Sequence, residues 1–412
     1  MLNLRMLKVS DLLLWIAVGL LALIGFFAIF SSTFALLLKH GIDSLLYVKR
    51  QMLAFSLGAA GLVFFSYLDY KHLKRLAPFL YALMLFLLIL VIFGGTGTAG
   101  AQRWFQVGSF SFQPSEIAKI IMVICLASFF TEKRTLNSRW DSFLLIGLVG
   151  LPFLLIFKQP DLGTALVFVA ILLGMLCASW ASPKLLAVLF TPIISILVRP
   201  LLPLWIIYLG AVAISLFLSR ARFWDWAAIF GTNTVIGLAM PFIWGLLKPY
   251  QRQRITAFLD PGADPYGAGY HSLQSKIAIG SGGLFGKGFL HGTQTQLQFI
   301  PEQHSDFIFS AIGEEWGLIG AGLTLVLFAI VLWRTLVIAS DARDYFGFLL
   351  ASGIAAMTAF HILANVGMVL GILPVVGIPL PFISFGGTSL IINLISMGIL
   401  QSICMRRQKL IF

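Results

Sequence analysis

The sequence predicts an all-α polytopic integral membrane protein, with about 10–12 transmembrane helices of ordinary length. Of its 412 residues, 59% are hydrophobic and only 11% are charged, whereas a soluble domain carries about a quarter charged residues. The hydrophobic residues fall into long runs separated by short polar stretches. Each run must be helical, because a backbone exposed to lipid has to satisfy its own hydrogen bonds.

Twelve apolar runs are candidate helices. The first, Leu12–Phe30, is too long for the core of a signal peptide and lacks a small-residue cleavage site, so it predicts a transmembrane helix. The region 183–248 must contain an odd number of spans, because the segments before and after it are predicted to lie on opposite sides of the membrane. Three short helices fit there, and one span with interfacial helices is the alternative. The runs are 12–31, 52–68, 77–95, 114–130, 142–157, 162–181, 185–198, 201–219, 226–247, 307–333, 346–370 and 388–405.

The distribution of Lys and Arg orients the chain. With the N-terminus inside, basic clusters at 71–75, 133–139 and 406–409 face the cytoplasm, and both termini are cytoplasmic. In a soluble protein the net charge of +12 would suggest nucleic acid. Here it indicates cytoplasmic loops and contact with anionic lipid, so we predict a membrane partner and no nucleic acid.

One domain, 1–412, is predicted, with a long extracytoplasmic loop at 249–306 and shorter outside segments at 96–113 and 371–389. Loops of this length are uncommon without a function. Within the long loop, "SLQSKIAIGSGGLFG" predicts a short helix or a re-entrant segment. The three cysteines have no paired spacing, so the sequence predicts neither a disulfide nor a metal site.

The segment "FIPEQHSDFIFSAIGEEWG", residues 299–317, concentrates charge at the start of an apolar run. Charged groups at membrane depth are costly and usually functional. The helix N-terminus favours the ionised form of the Asp306 carboxyl, whereas burial favours the neutral form and raises its pKa. If burial dominates, Asp306 can act as a general base near neutral pH. Glu302 and His304 supply further proton-transfer groups. The alternative is an acid at a helix N-terminus in the membrane interface.

A second candidate pair lies in "FQPSEIAKI", where Glu116 and Lys119 are three residues apart and share one helix face. Pro114 marks the start of that helix. The two side chains either neutralise each other so that the helix can enter the membrane, or aim a charge at a partner such as Asp306. A lysine near Asp306 would lower the pKa of that carboxyl.

Basic and aromatic residues recur on the predicted outer face. "AQRWFQVG" gives Arg103, which can bind phosphate bidentately, and Trp104, which can stack on sugars. An ordinary interfacial tryptophan beside a surface arginine is the alternative. Arg252 and Arg254 in "KPYQRQRI" suit an anionic lipid such as a lipid pyrophosphate, with a solvated loop as the alternative. Further charges on this face are Lys158, Asp161 and Lys248.

The sequence contains no Walker loop, no dinucleotide fingerprint and no zinc spacing. Chemistry outside the membrane has no access to nucleotide donors, so a transferase here needs an activated donor already in the membrane. A transporter is the main rival, but it should hold its key charges near the bilayer midplane. The outer-edge position of Asp306 favours chemistry outside. A non-catalytic scaffold is the second rival.

Five ordered motifs resemble one known family. "QRWFQVGSFSFQPSEIAKI", "KQPDLGTAL", "DPYGAGYHSLQSKIAIGSGGLFGKG", "PEQHSDFIFSAIGEEWG" and "GIPLPFISFGGTS" are similar to the SEDS family (shape, elongation, division and sporulation) over nearly the whole chain. The segment "GYHSLQSKIAIGSGGLFGKGFLHGTQTQ" resembles its elongation (RodA) branch more than its division branch. The resemblance implies a fold of ten helices in a bacterial cytoplasmic (inner) membrane.

The resemblance also implies an activity. Members are peptidoglycan glycosyltransferases that polymerise lipid II, an undecaprenyl-pyrophosphate-linked disaccharide pentapeptide, at the outer face of that membrane. They act with a class B penicillin-binding protein and the elongation machinery during cell elongation and rod-shape maintenance. A lipid II flippase is the alternative. A divalent cation, Mg or Mn, could share the stabilisation of the leaving group, although no ligand cluster in the sequence indicates one.

Carried over by position, the resemblance makes Asp306 the general base on the acceptor sugar hydroxyl. Basic side chains then stabilise the departing pyrophosphate. The other correspondences are Glu116 and Lys119 with the family's pair near that acid, Arg103 and Trp104 with its outer-loop Arg-Trp, and Glu302 and His304 with its acid motif; Lys119, Arg103, Arg252 and Arg254 are the predicted phosphate ligands.

The chain departs from the family pattern in two places. Residues 183–248 are longer than the single span expected there, which conflicts with a count of ten helices. Phe385 stands in "SFGGTS" where the family often has tyrosine, so we predict no polar role for that side chain.

Overall fold

The computed structural model describes residues 9–96, 102–107, 110–133, 139–179, 181–259, 268–300 and 302–407. Parts of the basic clusters at 133–139 and 406–409, and part of the long loop, lie outside these residues. The elements are α1 Leu12–Lys39, α2 Leu46–Tyr67, α3 Lys71–Gly94, β1 Phe105–Val107, β2 Phe110–Phe112, α4 Pro114–Glu132, α5 Arg139–Lys158, α6 Leu162–Ala178, α7 Pro183–Val198, α8 Leu202–Leu218, α9 Phe223–Leu246, α10 Pro249–Leu259, α11 Ala268–Gly282, α12 Thr293–Gln296, α13 Ile308–Ser340, α14 Tyr345–Val369 and α15 Gly387–Met405.

Each of the twelve predicted apolar runs corresponds to one helix. Eight of these helices are long and apolar enough to cross a membrane within the described residues, and the helices from α5 to α8 include four shorter apolar stretches. The predicted all-α polytopic fold is therefore confirmed. The region 183–248 forms three helices, as the first alternative predicted.

The two ends of the described chain lie side by side. The Asp11 backbone N–H donates to Gln401 Oε1 at 2.9 Å, and the Gln401 amide returns a bond to the Asp11 carbonyl at 3.0 Å. The Asp11 carboxylate accepts from Arg334 Nε at 2.8 Å. The start of α1 and the end of α15 therefore lie on one face of the bundle, and the cytoplasmic location of that face stays a prediction.

Helices α4, α14 and α15 form the centre of the bundle, since most of their residues are buried. Close approach of α2 and α15 depends on glycine. A Cβ added at Gly398 would lie 2.4 Å from the Leu62 carbonyl oxygen. Small residues let helices in lipid approach closely and gain van der Waals contact.

Helices α7, α8 and α9 form a three-helix unit that packs mainly on itself. Its centre is polar: Asn233 is fully buried and donates to Thr191 Oγ1 at 2.8 Å. Tyr208 donates to Asn233 Oδ1 at 3.1 Å, and Trp205 Nε1 donates to Ser195 Oγ at 2.8 Å. Interhelical hydrogen bonds of this kind hold helices together in lipid, where apolar burial gives no advantage.

The long outside loop folds back onto α13. The predicted short helix in the apolar patch is present as α11. Helix α13 is broken at Gly317, whose φ is +65°. The freed carbonyls of Glu314 and Glu315 accept from the Lys287 and Gly288 backbone N–H groups, each at 3.0 Å. Non-helical backbone at this position is tolerated because the loop satisfies its hydrogen bonds.

Glu314 anchors this loop through its side chain. The carboxylate is completely buried and accepts from Lys287 Nζ at 2.8 Å, from the Gln294 N–H at 2.9 Å and from Thr295 Oγ1 at 2.7 Å. Its neighbour Glu315 accepts from the Ser31 hydroxyl. The two glutamates that follow Asp306 in the sequence are thus structural anchors for the outer loop.

The first outside segment forms a small antiparallel hairpin, in which β1 pairs with β2. The sequence did not predict these strands, because three-residue strands leave too short a pattern to read. The hairpin leads directly into α4 and so fixes where Pro114 begins that helix.

Candidate active site

Asp306 lies in the turn immediately before α13, at the edge of the helix rather than within it. Its backbone is fixed on both sides: its N–H donates to the Glu302 carbonyl at 3.1 Å, and its carbonyl accepts from Asn365 Nδ2 at 2.8 Å. The carboxylate itself accepts no hydrogen bond from any described residue. A held backbone and a free carboxylate suit a group that acts on a ligand.

The surroundings of Asp306 change its acidity. Burial raises the pKa of its carboxyl to about 6, with nearby Glu302 and Asp161 adding to the rise. The positive charge of Arg254 opposes them. A carboxylate with a pKa near neutral pH can both accept and release a proton under cellular conditions.

Glu116 and Lys119 form a buried ion pair on the first turns of α4. Lys119 Nζ lies 2.8 Å from Glu116 Oε1, and the two side chains are 2% and 5% exposed. Because so little of either is exposed, each charge depends on the other for compensation. Glu116 Oε2 is buried and has no hydrogen-bond partner among the described residues.

His361 completes this cluster, and the sequence analysis did not identify it. Its Nδ1 lies 2.8 Å from the Met357 carbonyl oxygen and its Nε2 lies 2.9 Å from Lys119 Nζ. A carbonyl can only accept, so Nδ1 carries the proton and Nε2 presents its lone pair to the ammonium. Two of the three Lys119 donors are therefore used, and the third remains for a ligand.

Asp161 is the N-cap of α6 and belongs to the same region. Its carboxylate accepts from Thr164 Oγ1 at 2.9 Å and from Gln113 Nε2 at 3.2 Å. The sequence placed Asp161 at an outside turn but assigned it no role. Its hydrogen bonds join the start of α6 to the start of α4, and so orient Glu116 and Lys119.

Arg103 and Trp104 both line the site, at the end of the outer segment. The Arg103 guanidinium donates through Nε to the Gln159 carbonyl at 2.9 Å, and also to the Pro160 carbonyl and the Tyr250 hydroxyl. These bonds attach the outer segment to the α5–α6 turn. Arg103 therefore holds these two segments together, and its contact with phosphate stays a prediction.

Glu302 and His304 line the same cavity as Asp306. The His304 ring packs edge-on against Tyr47, with centroids 4.9 Å apart, and its carbonyl accepts from the Phe385 N–H at 2.9 Å. Burial lowers the pKa of His304, while Glu302 opposes that shift. The Phe385 side chain contributes only its ring, at 5.6 Å from His304.

The structure separates Arg252 from Arg254. Arg254 Nη1 lies 3.5 Å from the Val375 carbonyl oxygen, on the side of the loop that faces Asp306. Arg252 turns back to the end of α9, where it donates to the carbonyls of Leu247 and Gly245 at 3.0 and 2.6 Å. Arg252 lines neither of the cavities described below, so its predicted contact with substrate has no support from its position.

Two adjoining cavities meet at this site. The smaller, of about 530 Å³, is lined by Asp306, Glu116, Lys119 and His361. The larger, of about 1510 Å³, is mostly apolar and extends along the outer ends of α6, α7 and α9. Residues common to both linings include Arg103, Trp104, Ser111 and Asp161. The arrangement suits a ligand with a polar reacting group and a long apolar part.

Comparison with known proteins identifies the family of this chain. A family model described as a cell cycle protein, FtsW/RodA/SpoVE, matches residues 11–202 and 178–409. The chain belongs to this family. The predicted SEDS membership is therefore confirmed, and the matched stretches contain every predicted site residue.

Individual members of the FtsW/RodA/SpoVE family are similar over most of their length. The peptidoglycan glycosyltransferase MrdB of Escherichia coli is 37% identical over 364 residues, covering 88% of this chain and 87% of that protein. A chain of a peptidoglycan synthase complex, described as coordinating polymerization and crosslinking, has a TM-score of 0.68 and 31% identity, covering 97% of this chain and 98% of its own. RodA of Thermus thermophilus has a TM-score of 0.62 and 26% identity, covering 97% and 98%.

Among the described residues, no group of three or more His, Cys, Asp and Glu side chains is placed to hold a metal ion. The carboxylate of Asp161 is engaged by neighbouring side chains, and Glu116 is paired with Lys119. These residues do not form a cation site by themselves. A role for Mg or Mn stays a prediction.

The acidity of Asp306 predicts a pH profile for turnover. If the ionised carboxylate is the base, activity rises with pH through about 6 and then levels off, so kcat/KM at pH 5 is about a tenth of the plateau. The measurement is kcat/KM between pH 4.5 and 8 in detergent, with tryptophan fluorescence recorded in parallel to confirm that the protein stays folded. A flat profile between pH 5 and 7 would contradict this role.

Gly377 predicts a second effect at the site. Its φ is +71°, and an added Cβ would lie 3.3 Å from Asp306 Oδ2 and 3.6 Å from Arg254 Nη1. We expect Gly377→Ala to strain the backbone by about 1–2 kcal/mol and to lower kcat by about tenfold through displacement of the base. Gly41→Ala is the matched control, since its φ is +65° and nothing lies within 4 Å of its added Cβ. Equal turnover of both variants would show that this contact does not position Asp306.

Proposed function

We propose that this chain, a peptidoglycan glycosyltransferase, polymerises lipid II at the outer face of the bacterial cytoplasmic membrane during cell elongation and rod-shape maintenance. One observation carries the proposal. The free carboxylate of Asp306, with its pKa raised to about 6, faces a polar cavity that opens into a larger apolar one. A lipid-linked sugar has both a reacting hydroxyl and a long apolar chain.

In the proposed step, Asp306 removes the proton from a hydroxyl of the acceptor sugar. The hydroxyl oxygen forms a bond to the anomeric carbon of the donor, and the bond from that carbon to the pyrophosphate oxygen breaks. The proton ends on Asp306, the glycosyl group of the donor stays on the acceptor oxygen, and undecaprenyl pyrophosphate leaves. No nucleotide is consumed, because the lipid pyrophosphate is itself the leaving group.

Basic side chains stabilise the charge that develops on the leaving pyrophosphate. Lys119 has one donor that Glu116 and His361 do not use, and Arg254 lies on the Asp306 side of the outer loop. Both are fixed before the substrate arrives, so little reorganisation is needed in the transition state. Trp104 lines both cavities and offers an aromatic face to a sugar ring.

A class B penicillin-binding protein is the proposed partner. The related synthase complex is described as coordinating polymerization and crosslinking, and a polymerase at the outer face needs a transpeptidase to crosslink its product. Together with the elongation machinery, such a partner would place new glycan in the lateral wall of the cell.

The experiment is a polymerisation assay with labelled lipid II and the purified full chain, alone and with a class B penicillin-binding protein. Glycan strands resolved by gel electrophoresis are the expected product. A second assay follows lipid II movement across vesicles that contain the chain. Movement of lipid II without strands would favour the flippase alternative. The edge position of Asp306 supports the polymerase, because a transporter would hold its essential acid within a span.

A further inference from the structure

The three-helix unit α7–α9 lies where the family pattern is interrupted. The matched stretches, 11–202 and 178–409, overlap across α7, and the helix count of this region exceeds the single span expected of the family. The unit has its own polar centre around Asn233, and its packing against α6 is limited. Most of the packing of this unit is therefore internal.

The outer end of this unit faces the active site through the larger cavity. Ile196 and Leu197 of α7 and Met240 and Trp244 of α9 line one side of it. The start of α6 and the segment that carries Val375 line the opposite side. No residue of α8 lines the cavity, so that helix supports the wall from outside. With a volume of about 1510 Å³, the cavity exceeds the range of about 300–1,000 Å³ that is usual for small-molecule sites.

A basic side chain of the unit lies in the same cavity. Arg199 donates through Nε to the Gly237 carbonyl at 2.9 Å, and its guanidinium lies over the Trp205 ring at 5.0 Å. No described carboxylate forms an ion pair with it. An uncompensated guanidinium at the margin of an apolar cavity suits a phosphate group attached to a hydrocarbon chain.

We propose that the α7–α9 unit builds one wall of a binding site for the polyprenyl chain of the lipid substrate, with Arg199 at its phosphate end. The inference rests on the proposed function and extends it to the part of the substrate that does not react. The cavity is continuous with the polar one at Arg103 and Asp161, which are common to both linings. The unit therefore makes turnover depend on the length of the polyprenyl chain.

The test compares two versions of lipid II, one with the undecaprenyl chain and one with a short farnesyl chain. Ile196→Trp and Met240→Trp fill the cavity, and Ile207→Trp on α8 is the control because that side chain is 66% exposed and lines no part of it. We expect the two filling variants to raise the KM for undecaprenyl lipid II by about tenfold, equivalent to about 1.4 kcal/mol of lost binding. The KM for the farnesyl substrate should stay unchanged.

Arg199 is tested separately, with Arg199→Gln and Arg199→Lys. The glutamine variant should raise the KM for both substrates, because both carry the pyrophosphate, and the lysine variant should restore most of the loss. If Arg199 only supports the fold, both variants should have a lower melting temperature and an unchanged KM for both substrates.

A direct readout is independent of turnover. A photoreactive undecaprenyl pyrophosphate should label Met240 or Trp244. Photoreactive phosphatidylglycerol should not label these residues. Equal labelling by the phospholipid, or equal KM changes for both chain lengths in the filling variants, would overturn the proposal while leaving polymerisation intact. A wild-type chain that binds the photoprobe in this cavity but forms no glycan would instead overturn the proposed function.

Discussion

Replacement of Asp306 by asparagine is expected to lower lipid II polymerisation by about 10²- to 10⁴-fold, the range typical of a lost general base. Asparagine has nearly the same shape but cannot accept the hydroxyl proton. No described residue donates a hydrogen bond to the Asp306 carboxylate, so the change removes no contact. Because burial raises the pKa of this carboxyl to about 6, neutralising it should leave the melting temperature equal or higher at pH 7.

The control for this variant is Asp43→Asn. Asp43 is also a predicted outer-face carboxylate, but it is exposed, pairs with Lys49 at 2.5 Å and lines neither cavity. We expect its turnover to stay at the wild-type value. Asp306→Glu retains a base at a shifted position and should retain a small residual rate. If Asp306→Asn formed glycan strands at the wild-type rate, Asp306 would not be the general base.

Replacement of Lys119 by methionine is expected to abolish turnover and also to destabilise the fold. The change leaves Glu116 buried without its partner, which typically costs about 3–5 kcal/mol. The double variant Glu116→Gln/Lys119→Met removes both charges, so it should recover most of the melting temperature but none of the activity. The measurements are thermal unfolding in detergent and lipid II polymerisation on the same preparations.

The matched control is Lys49→Met, which breaks an ion pair whose side chains are 62% and 47% exposed. An exposed pair contributes about 0–1 kcal/mol, so this variant should unfold close to wild type. Restored activity in the double variant would contradict a phosphate-binding role for Lys119. The Glu116–Lys119 pair would then serve only to stabilise the fold.

The sequence was most informative where one chemical rule dominates. The helices follow from the requirement that lipid-exposed backbone satisfy itself, and Asp306 and the Glu116–Lys119 pair follow from the cost of charge in apolar surroundings. Apolar length predicted three helices in 183–248 as one of two alternatives, and the structure has three. Their role could not be predicted, because it depends on which outer ends face the cavity.

Other features depend on contacts between distant segments, which no local pattern contains. His361 meets Lys119 across 242 positions of sequence, and a lone histidine in an apolar run gives no signal of that partner. Arg252 and Arg254 have similar neighbours in "YQRQRI". They project from opposite sides of α10, however, and therefore contact different segments. Glu314 takes its hydrogen-bond partners from the outer loop, and Glu315 takes one from Ser31 of α1, far away in the sequence.

The joined ends of the chain have a consequence for synthesis. Asp11 directly precedes α1, and its partner Gln401 follows 390 positions later. At about 5–20 residues per second, α1 waits roughly 20–80 seconds in the membrane before α15 can close the bundle against it. During that interval the Asp11 backbone N–H and carbonyl lack their hydrogen bonds to Gln401. Degradation of chains that stop before α15 would therefore act on a recognisable, unclosed intermediate.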